Sequence, residues 1–232
     1  KIAREQENEL LTFTITRADI TVPSTEYEVK ETGSGSIGVL SVNQFGTETI
    51  SEIRSILREV NPAELEGFII DLRYNGGGYL DGAVDLVSMF LNKGTVVTVQ
   101  GRDSSDAKVH SVSGNAVLPD IPLVVLQNQA SASASEIAAG ALQDHDRATV
   151  IGTKSFGKGT VQEVLDLPGG TSLRVTIAKW LTPDGKDLGK EGVVPDINVD
   201  RTREDFEADI DPQMLTALEW LLDNQDISGQ FG

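Results

Sequence analysis

Apolar and polar positions alternate along this chain with two different periods, and the change from one to the other marks its elements. Residues 10–16 alternate and predict a strand, as do residues 36–42. Between them, residues 18–32 are polar and interrupted by Pro23, which predicts a linker or an edge strand. Ile50, Ile53, Ile56, Leu57 and Val60 recur at helical spacing within residues 47–60, with Thr47 as N-cap and Asn61-Pro62 as the stop. The apolar run 67–72 predicts a buried strand, followed by Gly76-Gly77-Gly78 and an amphipathic helix over 80–91. Residues 95–100 and 107–112 read as a hairpin around Gly101-Arg102-Asp103. Residues 122–127 predict a buried strand, 131–143 a helix of small residues, 148–151 a strand and 152–159 a loop. A second hairpin joins 161–167 to 172–181 across Pro168-Gly169-Gly170, and Pro212 opens a last helix over 211–224 with Leu215, Leu218, Leu221 and Leu222 on its faces. The alternation of strands and helices predicts an α/β fold, a mixed core sheet with flanking helices, plus a smaller, mostly β segment.

Composition narrows the function. The 232 residues are enough for one large domain, and 39% hydrophobic with 24% charged residues suits a packed core. A formal net charge of −17 repels phosphate backbones and anionic headgroups, so nucleic acid is not an expected partner. There is no cysteine, which removes thiol catalysis, thiolate zinc sites and disulfides together. With two histidines and no EF-hand pattern, no metal is expected. No apolar stretch is long enough to span a membrane. The chain starts at Lys1-Ile2-Ala3-Arg4, which suggests a piece of a longer protein whose targeting segment is not included.

Three segments carry chemistry. A strand leads into Ser131-Ala132-Ser133-Ala134-Ser135-Glu136 and then a helix; a serine at such a turn is presented at the strand end, where the helix N-terminus favours a developing oxyanion. Small residues there serve equally to cap and pack the helix. Ser155-Phe156-Gly157-Lys158-Gly159-Thr160 sets one lysine between glycines, and burial of that lysine would lower its pKa toward that of a general base. Asp71-Leu72-Arg73-Tyr74-Asn75-Gly76-Gly77-Gly78 offers backbone N–H groups to an oxyanion or phosphate. Gly152-Thr153-Lys154-Ser155-Phe156-Gly157-Lys158 has the spacing of a P-loop. Gly159 then stands where a Ser or Thr should hold magnesium, and the following residues are β-like, so that reading fails. His110 and His145 show no triad pattern and read as solvated surface residues.

Taken together, these motifs resemble the C-terminal processing peptidases (tail-specific proteases), a family of Ser/Lys serine endopeptidases, over nearly the whole chain. The resemblance implies a crotonase/Clp-protease-like core, with Ser133 as nucleophile, Lys158 as general base, Gln162 orienting the lysine, and the N–H groups of Gly78 and Ala134 as the oxyanion hole. Residues 178–185 and 192–196 match later core segments, and Ala130 replaces the family's usual glycine. It also implies residues 1–30 as the remnant of a PDZ domain and linker, 31–205 as the peptidase core and 206–232 as a C-terminal helix. No cofactor is implied. The implied partners are protein or peptide substrates, cut near their C-termini outside the cytoplasm, in the periplasm or at the cell surface. A membrane anchor on the full-length form and an oligomer stay open. An extended substrate is expected to add as a strand near the strand preceding Ser133. A non-catalytic scaffold and an acyl-thioester-binding crotonase relative are the other two readings, but neither gives work to Ser133, Lys158 and Gln162.

Overall fold

The computed structural model describes residue 2, residues 11–14 and residues 23–223. Its elements follow the order β1 (Thr25–Thr32), β2 (Gly35–Val42), α1 (Thr49–Glu59), β3 (Gly67–Asp71), α2 (Leu80–Ser88), β4 (Thr95–Gln100), β5 (Lys108–Ser111), β6 (Leu123–Gln127), α3 (Ala134–Asp144), β7 (Thr149–Gly152), β8 (Thr160–Leu167), β9 (Thr171–Leu181), α4 (Leu188–Glu191), β10 (Ile197–Asn198), α5 (Arg203–Glu207) and α6 (Pro212–Asp223). Two sheets result. The larger runs β1-β2-β3-β6-β7-β10 and the smaller β5-β4-β9-β8. In the larger, only β1 with β2 is antiparallel, and the other pairs are parallel. This is the α/β architecture with a mixed sheet and a smaller β segment that the patterning predicts.

The central strands read as unbroken apolar runs because both faces of the sheet are covered. In β3, Phe68 and Ile70 enter the core beneath α1, α2 and α3, while Ile69 enters a second core on the opposite face. In β6, Leu123 and Val125 take the first face, and Val124 and Leu126 the second. Ala217 and Leu221 of α6 close that second core. The polar segment before β2 is the edge strand β1, which straddles residues 30 and 31. Of the strand expected over 10–16, residues 10, 15 and 16 lie outside the described residues; Leu11 makes an isolated bridge to Ile2 and residues 12–14 join no strand. Helix α1 starts later than its periodicity suggests, and its N-cap is Glu48 rather than Thr47. The hydroxyl of Thr49 donates to the Gln44 carbonyl and accepts from the Gly46 N–H, so it closes the preceding turn.

Two polar ties fix the edges of this frame. Glu52 of α1 accepts from the Ser24 N–H (3.1 Å), the Ser24 hydroxyl (2.6 Å) and the Thr25 hydroxyl (3.0 Å), and so holds the start of β1. The Ser24 hydroxyl bond, more than the opposing effect of burial, holds the Glu52 carboxyl below its ordinary value. At the far end, the buried Arg73 guanidinium donates to Asp71 (2.7 Å) and through Nη1 to both Asp211 oxygens (2.8 Å each). Asp211 also accepts from the Met214 N–H, so it caps α6 and anchors that helix beside the end of β3.

Glu52→Gln is expected to lower the unfolding free energy at pH 7 by about 1 kcal/mol, modest because the carboxylate is partly solvated. Because the folded pKa is depressed, this contribution is present above the ordinary glutamate pKa and is lost as pH falls through the folded value. Urea titrations of parent and variant should therefore converge in acid. Arg73→Ala strands part-buried Asp71 and leaves Asp211 only its longer 3.7 Å pairing with Arg201, and should cost about 3 kcal/mol in the same assay. Arg73→Lys should recover only part of it, since an ammonium cannot span both acids.

Candidate active site

Strand β6 ends at Gln127, and a turn carries the chain to Ser133, the N-cap of α3. Ser133 has φ 59° and ψ −117°, a conformation that costs a non-glycine residue on the order of 1–3 kcal/mol and that surrounding contacts must enforce. Those contacts are specific. The Ser131 hydroxyl donates to the Leu72 carbonyl and accepts from the Asn128 N–H. The Ser135 hydroxyl and the Ala132 N–H both donate to the carbonyl of Asn75. The Ser133 N–H donates to Glu136 Oε2 at 2.8 Å. Ser133 itself is 8% exposed, so its side chain is reached only from one side.

The glycine segment after β3 packs directly on this turn. Asn75 is fully buried; its side-chain amide donates to the Val42 carbonyl and its amide oxygen accepts from the Gly77 N–H at 2.8 Å. A Cβ at Gly77 (φ 102°) would lie 2.6 Å from Ser133 Cβ and 2.7 Å from the Ala132 carbonyl, so only glycine fits. The Gly77 N–H is engaged by Asn75. Among the described residues no acceptor engages the N–H of exposed Gly78 or that of Ala134, the first residue of α3. The latter is a helix-terminal donor with no intrahelical partner.

The lysine loop reaches the same place through one carboxylate. Glu136 is fully buried. Besides Ser133, its Oε2 accepts from the Lys158 N–H (3.0 Å), and its Oε1 accepts from the Gly157 N–H and the Ser155 hydroxyl (2.6 Å each). The Phe156 N–H donates to the Ser131 carbonyl, and the Ser155 hydroxyl accepts from the Val193 N–H. The structure thus brings the backbones of Ser133 and Lys158 onto a single oxygen atom.

The Lys158 and Gln162 side chains are exposed, and among the described residues neither makes a hydrogen bond or ion pair. The burial expected for Lys158 is not present, because β8 and β9 form a hairpin largely open to solvent from Gln162 outward. A second expectation is corrected by topology. Strand β6, which precedes Ser133, is paired on both sides by β3 and β7 and has no free edge for an added strand. Strand β8 begins two residues after Lys158 and is an edge. His145 is not a free surface residue: its Nε2 lies 2.7 Å from the Thr95 carbonyl, at the end of α3 opposite Ser133. Among the described residues no three His, Asp or Glu side chains cluster to hold a metal ion.

Sequence reasoning gave no role to Glu136, Asn75 or Ser155. A signal for Glu136 was available: Ser133-Ala134-Ser135-Glu136 has the S-x-x-E spacing of a capping box, in which the glutamate returns to the N-cap N–H. Ser155 acts across a long sequence separation and carries no comparable local mark, and Asn75 combines a local bond to the Gly77 N–H with long-range bonds to Val42, Ala132 and Ser135 that no spacing shows.

The chain as a whole is similar to known proteins of one family. The profile of peptidase family S41 matches residues 36–199. A carboxy-terminal-processing protease of Bartonella bacilliformis is 40% identical over 195 residues, covering 82% of this chain and 44% of that protein. A carboxyl-terminal-processing protease of Synechocystis sp. is 38% identical, covering 79% and 43%. Among solved structures, the photosystem II D1 C-terminal processing protease superposes with a TM-score of 0.71 and 32% identity, covering 80% of this chain and 50% of that one. Mature CPAF complexed with lactacystin shares the fold at 17% identity and a TM-score of 0.70. The chain spans less than half the length of the curated relatives it matches. Motifs, fold and relatives converge: this chain belongs to peptidase family S41.

Proposed function

We propose that this chain is the core of a serine endopeptidase that hydrolyses peptide bonds near the C-termini of protein substrates. Ser133 is its nucleophile, Lys158 its general base and Gln162 a side chain that orients the lysine. The observation that carries the reading is the forced backbone of Ser133, a strained serine at a helix N-cap whose N–H shares an acceptor oxygen with that of Lys158. Strain of this kind persists where the surroundings impose it, and it concentrates at reacting groups.

The chemistry follows from these positions. An extended substrate lies along the free edge of β8, which passes Lys158, and so covers an amine that this chain leaves exposed. Neutral Lys158 removes the hydroxyl proton of Ser133 as Oγ attacks the scissile carbonyl carbon. The N–H groups of Gly78 and Ala134 donate to the oxyanion. Collapse of the tetrahedral intermediate breaks the C–N bond, and the Lys158 ammonium returns its proton to the leaving amine. Water, deprotonated by Lys158, then hydrolyses the acyl-enzyme and regenerates Ser133. No cofactor enters these steps.

The wider assignments belong to the same proposal. Of the expected division into residues 1–30 as the end of a PDZ domain and its linker, 31–205 as the peptidase core and 206–232 as the C-terminal helix, residues 25–30 join the core sheet as part of β1, α5 crosses the second boundary, and residues 224–232 lie outside the described residues. A site of action outside the cytoplasm accords with the lack of cysteine. Among the described residues no helix is long and apolar enough to cross a membrane.

Cleavage of an unfolded protein by this chain should be abolished by Ser133→Ala and by Lys158→Ala; survival of cleavage in Ser133→Ala would falsify the assignment. Gly77→Ala, whose methyl has no room against Ser133, should reduce kcat by about 10²–10³-fold through displacement of the oxyanion donors. An unchanged kcat would remove the glycine segment from the mechanism.

A further inference from the structure

Glu136 is a fully buried carboxylate with four donors and, among the described residues, no cation. Its two oxygens divide the work. One takes the N–H groups of Ser133 and Lys158; the other takes the Gly157 N–H and the Ser155 hydroxyl. At 2.6–3.0 Å these contacts have the lengths of charge-assisted hydrogen bonds. A cap needs only the Ser133 contact. The other three donors come from a loop about twenty residues further on, beyond β7. An ordinary capping box therefore does not account for this carboxylate, and the additional bonds all fix one object, the loop that carries Lys158.

Resting on the reading of Ser133 and Lys158 as a catalytic pair, we propose that Glu136 is a positioning residue that sets the register of the lysine loop against the nucleophile turn. Neither of its oxygens is directed at substrate; all four bonds are internal. Its effect passes through two backbones. The Ser133 N–H bond holds the turn in its unfavourable φ, and the bonds to Gly157 and Lys158 place the base relative to Oγ. Ser155 extends the clamp, since its hydroxyl donates to Glu136 and accepts from the Val193 N–H, which ties the loop to the segment leaving α4. A carboxylate suits this better than an amide. All four contacts are donors, and a glutamine would turn an N–H toward two of them.

The test is a double-mutant cycle read by the rate at which a fluorophosphonate labels Ser133, with thermal unfolding as the check on folding. Glu136→Gln should slow labelling by about 10²-fold, the cost of a misplacement near 1 Å, and should lower kcat for peptide cleavage with little change in KM. In the Lys158→Ala background the same substitution should change labelling by a clearly smaller factor, less than about tenfold, because only its hold on the Ser133 turn remains. Ser155→Ala, which removes one donor and leaves the Ser133 bond intact, should show a smaller loss that disappears without Lys158. Equal losses with and without Lys158, or a loss that tracks the unfolded fraction, would mean that Glu136 only stabilises the fold, and the proposal falls while the dyad stands. Failure of the parent chain to label at Ser133 would overturn the dyad reading and this inference with it.

Discussion

The carboxylate of Glu136 binds two segments that the chain keeps well apart, and the geometry of the candidate site depends on it. A buried anion is costly unless its lone pairs are filled, and here four donors fill them. Three of the four are backbone N–H groups, so the requirement falls on the path of the main chain. The turn at Ser133 and the loop at Lys158 must both pass within hydrogen-bond distance of one side chain. The glycines beside Lys158 answer other needs, Gly157 its φ of 83° and Gly159 the closeness of the Leu188 and Gly189 backbone, while the Glu136 constraint fixes the loop between them. It also supplies a contact that holds Ser133 in a conformation it would otherwise leave.

The sheet brings these segments to one end. Strands β3, β6 and β7 are parallel, so their C-terminal ends lie together, and the loops that follow them carry the glycine segment, the Ser133 turn and the lysine loop. In an open α/β sheet this is where ligands bind. Covering both faces makes the strands apolar throughout and rigid, and Arg73 links the far-face helix α6 to the strand that delivers the glycine segment. The frame is therefore packed closely where it positions backbone. Beyond Lys158 it opens into an exposed hairpin, where the Lys158 and Gln162 side chains face solvent. On the proposed mechanism, an extended substrate lying over this opening would cover the Lys158 amine.

Much of this was legible in one dimension. The periods of hydrophobicity located the strands and the principal helices, because burial on one or two faces imposes alternation, continuity or a helical stripe. The clustering of Ser133 at a strand-to-helix turn, the glycines at 76–78 and the glycine-flanked Lys158 marked three segments that the structure brings together, because each is a local requirement of backbone geometry. Even the role of Glu136 at the N-cap was within reach from its spacing to Ser133.

What the tertiary structure alone decided concerns relations between distant residues. It showed that Glu136 reaches Ser155, Gly157 and Lys158, that Asn75 bonds to Val42, Ala132 and Ser135, and that β6 has no free edge while β8 has one. It also showed Lys158 exposed where a buried base was expected. The physical reason is the same in each case. Local pattern follows from which residues must be buried and which turns a backbone can make, both set by near neighbours in the chain. Hydrogen-bond partners, sheet edges and the exposure of a side chain depend on which segments meet, and that is fixed only when the whole core packs.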